Sequence, residues 1–253
     1  MRVLLTNDDG INADGLYALY LRLSKKFDVT VCAPEAEQSA VGHAITLSRP
    51  LRVKEIIKNK KFFGYAINGT PADCVKIAVR CILKQKPDMI ISGINHGPNL
   101  GSDIMYSGTV SAATEGTILG IPSMAISLAT YENHDFSFAA EFASSLAKKI
   151  KKNGVESGVL LNVNIPGIAK SKIKGIRITR QGKSMYKEEF VTRLDPRGRK
   201  YYWLTGKVQW FKKSDDTDIR AIEDKYVSIT PLQFDLTAHQ AIEKLKKNKF
   251  EKF

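Results

Sequence analysis

Short runs of β-forming residues alternate with stretches of helical periodicity through the first half of this chain, and that alternation leaves few folds open. It is the pattern of βαβ units, which build a mostly parallel sheet flanked by helices. Strands are expected at 3–6, 29–32, 64–67, 89–94 and 123–128, with helices at 16–25, 72–83, 109–119 and 136–151. The second helix is sharply punctuated: Thr70 suits the N-cap, and Pro71 takes the first helical position, where its missing N–H costs nothing. Alternating residues at 44–57, around Arg49-Pro50, predict a β-excursion near a sheet edge.

After a sixth strand near 159–163 the texture changes. Residues 177–210 are rich in Arg, Lys, Tyr and Trp and poor in helical period, which predicts a protruding β-arm ending by about 211. Such an arm leaves apolar surface that a partner subunit would cover. A short helix at 221–224, a strand at 227–230 and an amphipathic tail helix at 238–247 complete the reading. The chain therefore reads as one α/β domain over 1–253, with a core over roughly 1–165 and an extension over 166–253 that carries the arm and tail.

At 253 residues and 43% hydrophobic, the chain can bury a full core without staples. Cys32, Cys74 and Cys81 are odd in number and have no CxxC spacing, so neither a disulfide framework nor a zinc ribbon is expected, and a reducing compartment fits. Cys74 and Cys81 stand two helical turns apart in an apolar stretch and read as core packing. The first residues lack the pattern of a secretory signal, and no stretch approaches the ~20 apolar residues that span a bilayer, so no membrane association and a cytoplasmic location are expected. The formal charge of +13 suits polyanionic partners, but much of it sits in lysine runs at 148–152 and 244–252 that read as solvated surface.

Ligands of an open parallel sheet bind outside the carboxyl ends of its strands. Three strand exits here are unusually polar: Thr6-Asn7-Asp8-Asp9-Gly10, Ala33-Pro34 through Gln38-Ser39-Ala40, and Ser92-Gly93-Ile94-Asn95-His96-Gly97. Adjacent carboxylates at a strand end repel unless a cation lies between them, and such oxygen ligands suit Mg²⁺ or Mn²⁺. Ser39 and Asn95 offer further neutral oxygens, leaving coordination positions for water and a phosphoryl oxygen. Ser107, Gly108 and Thr109, entering the third helix, would present N–H groups and hydroxyls to an anion.

Other chemistries fail on spacing. Gly10 and Gly15 have the interval of a P-loop, but Leu16 stands where lysine is required, and no GxGxxG follows the first strand. Phosphatases that form an aspartyl-phosphate space their two Asp one residue apart, whereas Asp8 and Asp9 are adjacent. His43 and His96 lie in candidate site loops; His134 and His239 fall in a loop and the tail helix.

These residues closely resemble the SurE, or survival protein E, family of metal-dependent 5′/3′-nucleotidases. The resemblance rests on the three strand exits, on Ile45-Thr46-Leu47, on Asn68-Gly69-Thr70-Pro71-Ala72-Asp73-Cys74-Val75, and on His96-Gly97-Pro98-Asn99. It extends to Tyr106-Ser107-Gly108-Thr109-Val110, Asp216-Thr217-Asp218 and Ser228-Ile229-Thr230-Pro231-Leu232, nearly the whole chain. It implies a Rossmann-like core and one divalent cation per subunit held by Asp8, Asp9, Ser39 and Asn95, the oxygens already assembled from the strand ends. It further implies a homodimer or homotetramer built through the arm or tail. The implied activity is on nucleoside 5′- and 3′-monophosphates, with looser action on other phosphates such as short polyphosphates. Asp14, where such proteins often carry Pro, implies a capping difference only.

On this reading Asp8, Asp9 and Asn95 bind the cation and take part in catalysis, while Ser39, Asn95, Ser107, Gly108 and Thr109 hold the substrate. Asn7 and His96 are candidates for orienting the attacking water or the leaving oxygen. No stable nucleic-acid partner is expected; the rival reading, a non-catalytic nucleotide or RNA binder using the basic arm, would weaken steeply with salt and ignore chelators.

Overall fold

Nine strands form one sheet in the order β3-β4-β2-β1-β5-β6-β7-β11-β8. They are β1 (Arg2–Thr6), β2 (Asp28–Pro34), β3 (Val53–Lys58), β4 (Lys61–Ile67), β5 (Met89–His96), β6 (Ser123–Ala129), β7 (Val159–Pro166), β8 (Gly175–Ile178) and β11 (Tyr226–Gln233). The six strands from β4 to β7 run parallel, and β3 and β11 each pair antiparallel with a neighbour. The computed structural model describes residues 1–132, 134–210 and 214–250, with backbone alone at 184–188 and 207–210.

Helices cover both faces, so the central strands are apolar on both sides rather than alternating. On one face α1 (Asp14–Leu23) packs beside α4 (Ser137–Asn153), burying Leu16, Leu19, Ala143 and Ala147 against Leu5, Ile91 and Ile126. On the other, α2 (Pro71–Ile77) packs against α3 (Gly108–Ile118), with Cys74, Val75 and Ala112 over Leu4, Cys32 and Ile90. The start of α2 is the expected one: Thr70 accepts from the Asp73 N–H at 3.1 Å, and the Asp73 carboxylate accepts from the Thr70 N–H at 2.9 Å. Each group satisfies a donor that the first turn of a helix would otherwise strand. Asp14 is the first residue of α1, where an acidic side chain meets the positive end of the helix dipole.

Several expectations change. The second helix does not continue regularly to 83, because Ala78–Ile82 winds as a π-helix. A wider turn rotates later side chains off the stripe that an α-helix would keep aligned. Cys81 is therefore exposed rather than packed, while Cys32 and Cys74 are buried. The excursion at 44–57 is a strand only from Val53, and β3 pairs with β4 at the sheet edge. The arm starts later than residue 177, because Gly175–Ile178 is hydrogen-bonded to β11 within the main sheet. Its two strands, β9 (Ser184–Leu194) and β10 (Lys200–Trp210), form a separate antiparallel hairpin. Residues beyond 166 thus add two strands to the core sheet as well as the arm.

The short helix is α5 (Asp218–Glu223), and the tail helix α6 (His239–Lys247) has no buried residue. The expected arm end at 211 and the final tail lysine, Lys252, lie outside the described residues. Among the described residues no helix is long and apolar enough to cross a membrane.

The π-turn makes a direct expectation for thiol chemistry. In the native protein one thiol per chain, that of Cys81, should react rapidly with an aromatic disulfide reagent, and all three should react in denaturant. Retention of the fast thiol in Cys81→Ser would contradict the assignment.

Candidate active site at the strand ends

Chain order reverses at β1. The chain builds outward from β1 through β2 to β4, then crosses back to lay β5 on the other side of β1. Loops leaving β1 and β5 diverge at such a switch point and open a crevice between them. A cavity of about 830 Å³ lies there, lined among others by Asp8, Asp9, Ser39, Asn95, His96 and Ser107. Those six come from the ends of β1, β2 and β5 and from the N-cap of α3, as the sequence predicts. Gly108, Thr109 and Asn7 do not line it.

Asp8 is 5% exposed and held from behind. Its carboxylate accepts from both the hydroxyl and the backbone N–H of Thr109. Thr109, fully buried, is thereby occupied with Asp8 rather than offered to an anion, which corrects the expected substrate contact. Gly108 makes that contact possible: a Cβ there would lie 2.7 Å from the Asp8 Cβ, so only hydrogen lets α3 approach so closely. Ser107 Oγ accepts from the Val110 N–H at 3.1 Å and so caps the first turn of α3.

Asn7 is also buried, and its Nδ2 donates to the Gly10 carbonyl at 2.9 Å. It braces the Asp8-Asp9-Gly10 turn, in which Gly10 takes a φ of +95°. A water-orienting part for Asn7 does not follow from this placement; the side chain acts on the turn.

Asp9 accepts from the backbone N–H of His96, which ties the ends of β1 and β5. Asn95 Nδ2 donates to the Gly97 carbonyl at 2.9 Å, so Oδ1 is the end of the amide that can act as a ligand. Ser39 is exposed and donates to the Glu37 carboxylate. Its loop is fastened at Gln38 N–H to Asp8 O (2.8 Å), at Gly42 N–H to Tyr106 O (3.0 Å) and at Thr70 Oγ1 to Ala44 O (2.7 Å). His43, farther along it, pairs with the buried Glu115 at 3.0 Å, as does Lys76 at 2.7 Å, so His43 is spent on holding the loop. His96 packs its ring against His134 and Phe136.

Burial raises the pKa of Asp8 above the ordinary carboxyl range. Burial, with the Asp8 charge second, pushes Asp9 up to about 7. Two desolvated carboxyls that resist ionising together are a site in need of positive charge. Among the described residues no three His, Cys, Asp or Glu side chains cluster to hold a metal; Asp8 and Asp9 bring two carboxyl groups to the cavity, and Ser39 and Asn95 bring neutral oxygens. That composition is hard, oxygen-only and short of a full shell, and it fits Mg²⁺ or Mn²⁺ with positions left for water and substrate.

The cavity also has a more apolar part. Pro98, Tyr106, Tyr131 and the arm residue Leu204 line it, with Asn99 and Asp103; Glu37 also lines the cavity, beside Ser39, from whose hydroxyl it accepts. Tyr106, Asn99, Asp103 and Glu37 lie within recognisable loop segments; for Tyr131 and Leu204 the sequence carries no local signal. Asn99 is fixed from beneath: its N–H donates to Asn164 Oδ1 at 2.8 Å, its Nδ2 to Ser127 Oγ at 2.8 Å, and its carbonyl accepts from Asn162 and Asn164 at 2.9 Å each.

Comparison with known proteins agrees with this architecture. The model of the family described as survival protein SurE matches residues 3–188. A protein of Syntrophobacter fumaroxidans named 5′-nucleotidase SurE is 50% identical over 247 residues, spanning 98% of this chain and 99% of that one. One of the same name from Syntrophus aciditrophicus is 52% identical over 247 residues, spanning 97% and 93%. The crystal structure of a SurE protein from Aquifex aeolicus superposes with a TM-score of 0.85 at 43% identity, covering 98% of this chain and all of that one.

The raised carboxyl pKa values set a sign for stability. Both groups bind protons more tightly in the folded than in the unfolded chain, so folded stability falls as pH rises from the ordinary carboxyl range through about 7. Asp9→Asn removes its share of that loss. In chelator its Tm should exceed wild type slightly at pH 5 and by several degrees at pH 7.5; a gain independent of pH would contradict the assignment.

Proposed function

This chain belongs to the SurE family, and from that membership we propose that it is a phosphomonoester hydrolase that converts nucleoside 5′-monophosphates to nucleoside and inorganic phosphate. The observation that carries the reading is the pair Asp8 and Asp9, desolvated together at the sheet's switch point and opening on a cavity large enough for a mononucleotide. The 3′-monophosphates and short polyphosphates present the same terminal phosphoryl group and belong to the same proposal.

Asp8, Asp9, Ser39 and Asn95 would hold one Mg²⁺ or Mn²⁺ per subunit. Bound there, the cation supplies charge neutralisation to the phosphoryl oxygens and lowers the pKa of water. The chain's own residues do the rest. The Gly108 N–H and the Ser107 hydroxyl, at the positive end of α3, receive the phosphoryl oxygens. Thr109 keeps Asp8 in one rotamer, and Asn7 keeps the turn that carries both carboxylates. In the net reaction a bond forms from phosphorus to a water oxygen, the ester P–O bond breaks, and the leaving oxygen takes a proton. His96, which lines the cavity beside Asn95, would orient that water or protonate the leaving oxygen.

The unpartnered apolar side chains of the arm and tail support assembly into a homo-oligomer. Phe190, Tyr202, Trp203, Leu236 and Phe250 are all exposed, more than a charged surface leaves uncovered without a partner.

Phosphate release from a panel of nucleoside 5′- and 3′-monophosphates tests the function. Activity should disappear with EDTA, return with Mn²⁺ or Mg²⁺, and fall about 10²-fold or more in Asp8→Asn. Nucleotide binding that weakens steeply with salt, ignores EDTA and yields no phosphate would favour a binding protein instead.

A further inference from the structure

One buried carboxylate outside the cation set joins two walls of the cavity. Asp218, at the first position of α5, is wholly inaccessible to solvent. Its Oδ2 accepts from the backbone N–H of Gly101 at 2.9 Å. Its Oδ1 accepts from the N–H groups of Gly182 and Ile219, each at 2.8 Å.

The two glycines belong to different parts of the site. Gly101 opens a short 3₁₀ turn, Gly101–Met105, whose end delivers Tyr106 and the α3 cap Ser107 to the cavity. Gly182 stands two residues ahead of β9, at the root of the arm, and the arm's second strand brings Leu204 to the same cavity. A second tie runs alongside: Gln181 Nε2 donates to the Gly101 carbonyl at 2.8 Å. The arm root is also laced to the entry of α5, where the Arg180 N–H donates to the Asp216 carbonyl and the Asp218 N–H to the Arg180 carbonyl, both at 3.0 Å.

Building on the hydrolase reading above, we propose that Asp218 is a positioning residue: it locks the arm that carries Leu204 to the 101–107 loop, so that the two form one wall around the nucleoside portion of the substrate. The chemistry requires a carboxylate. Two oxygens accept from two separate backbone segments, whereas an amide keeps one acceptor and turns an N–H₂ toward the other donor. Losing one bond leaves a buried N–H without a partner and frees one wall relative to the other. The cation contacts come from the ends of β1, β2 and β5, and the phosphoryl donors Ser107 and Gly108, although Ser107 ends the latched loop, are held separately by α3, where Ser107 Oγ accepts from the Val110 N–H and Thr109 is tied to Asp8. Binding of the nucleoside should therefore suffer, and phosphoryl chemistry should not.

Steady-state kinetics on a nucleoside 5′-monophosphate and on a small aryl phosphate lacking sugar and base separate these effects. With the nucleotide, Asp218→Asn should raise KM about tenfold with kcat within about twofold, and Leu204→Ala should raise KM about threefold. The double variant should fall short of the product of the two, because an unlocked arm no longer presents Leu204 in register. The aryl phosphate KM should stay within about twofold of wild type throughout. The proposal is overturned by an unchanged nucleotide KM in Asp218→Asn, by equal losses on both substrates, or by fully multiplicative effects. Should Asp218→Asn not fold, Gln181→Ala breaks only the parallel tie and carries the same expectation at about threefold, with the same overturning results. If wild type binds nucleotide but releases no phosphate, the hydrolase reading falls, and Kd from calorimetry replaces KM in the same comparison.

Discussion

Two carboxyl side chains at the end of one buried strand are the constraint to which the rest of this molecule is fitted. Asp8 and Asp9 leave β1 where the sheet's chain order reverses, with apolar layers on both faces and little water to screen them. An arrangement of that kind is stable only with compensating donors and positive charge close at hand. Thr109 supplies two donors to Asp8, His96 supplies a backbone N–H to Asp9, and the first turn of α3 points its positive end at the pair. What these leave unmet is a demand for positive charge, which the proposed cation would supply.

The surrounding loops are fastened with unusual thoroughness. The Ser39 loop is tied to β1, to the cap of α2 and to α3 through Glu115, and the 97–107 loop is pinned from below by a triangle of asparagines centred on Asn99. Fixed oxygens have their reorganisation done in advance, which is what transition-state stabilisation by preset dipoles requires. The residues doing the fastening lie on α2, α3, β6 and β7, elements whose other faces fill the core. Stability and function share the same framework at these points.

Much of this was legible without coordinates. Strand periodicity and the Thr70-Pro71 signal placed the core elements within a few residues. The rule that ligands gather at strand carboxyl ends then selected Asp8, Asp9, Ser39, Asn95 and Ser107, which line one cavity. What escaped has a common physical cause, that long-range contact overrides local pattern. Cys81 follows an apolar spacing that a π-turn then rotates outward. Thr109 reads as an anion donor until Asp8, 101 residues earlier, claims it. Residues 177 and 178 read as arm because the strand that captures them, β11, lies about fifty residues downstream. Leu204 and Tyr131 carry no pattern that would place them beside a strand end.

The position of β11 has a consequence for how the chain matures. It lies between β7 and β8, pairing antiparallel with one and parallel with the other, although some sixty residues, including the whole arm, separate it from β7 in sequence. On a ribosome, β1 to β7 can assemble with their helices while the outer rim of β7 still presents open backbone groups, and β8 has nothing to dock against. Such a rim invites pairing with other nascent chains. The arrival of β11 closes it, seats β8, and draws α5 and its Asp218 up to the cavity wall in the same event. The last strand made is thus also the one that finishes the pocket, so the half-made protein is short of a working site until its sheet is sealed.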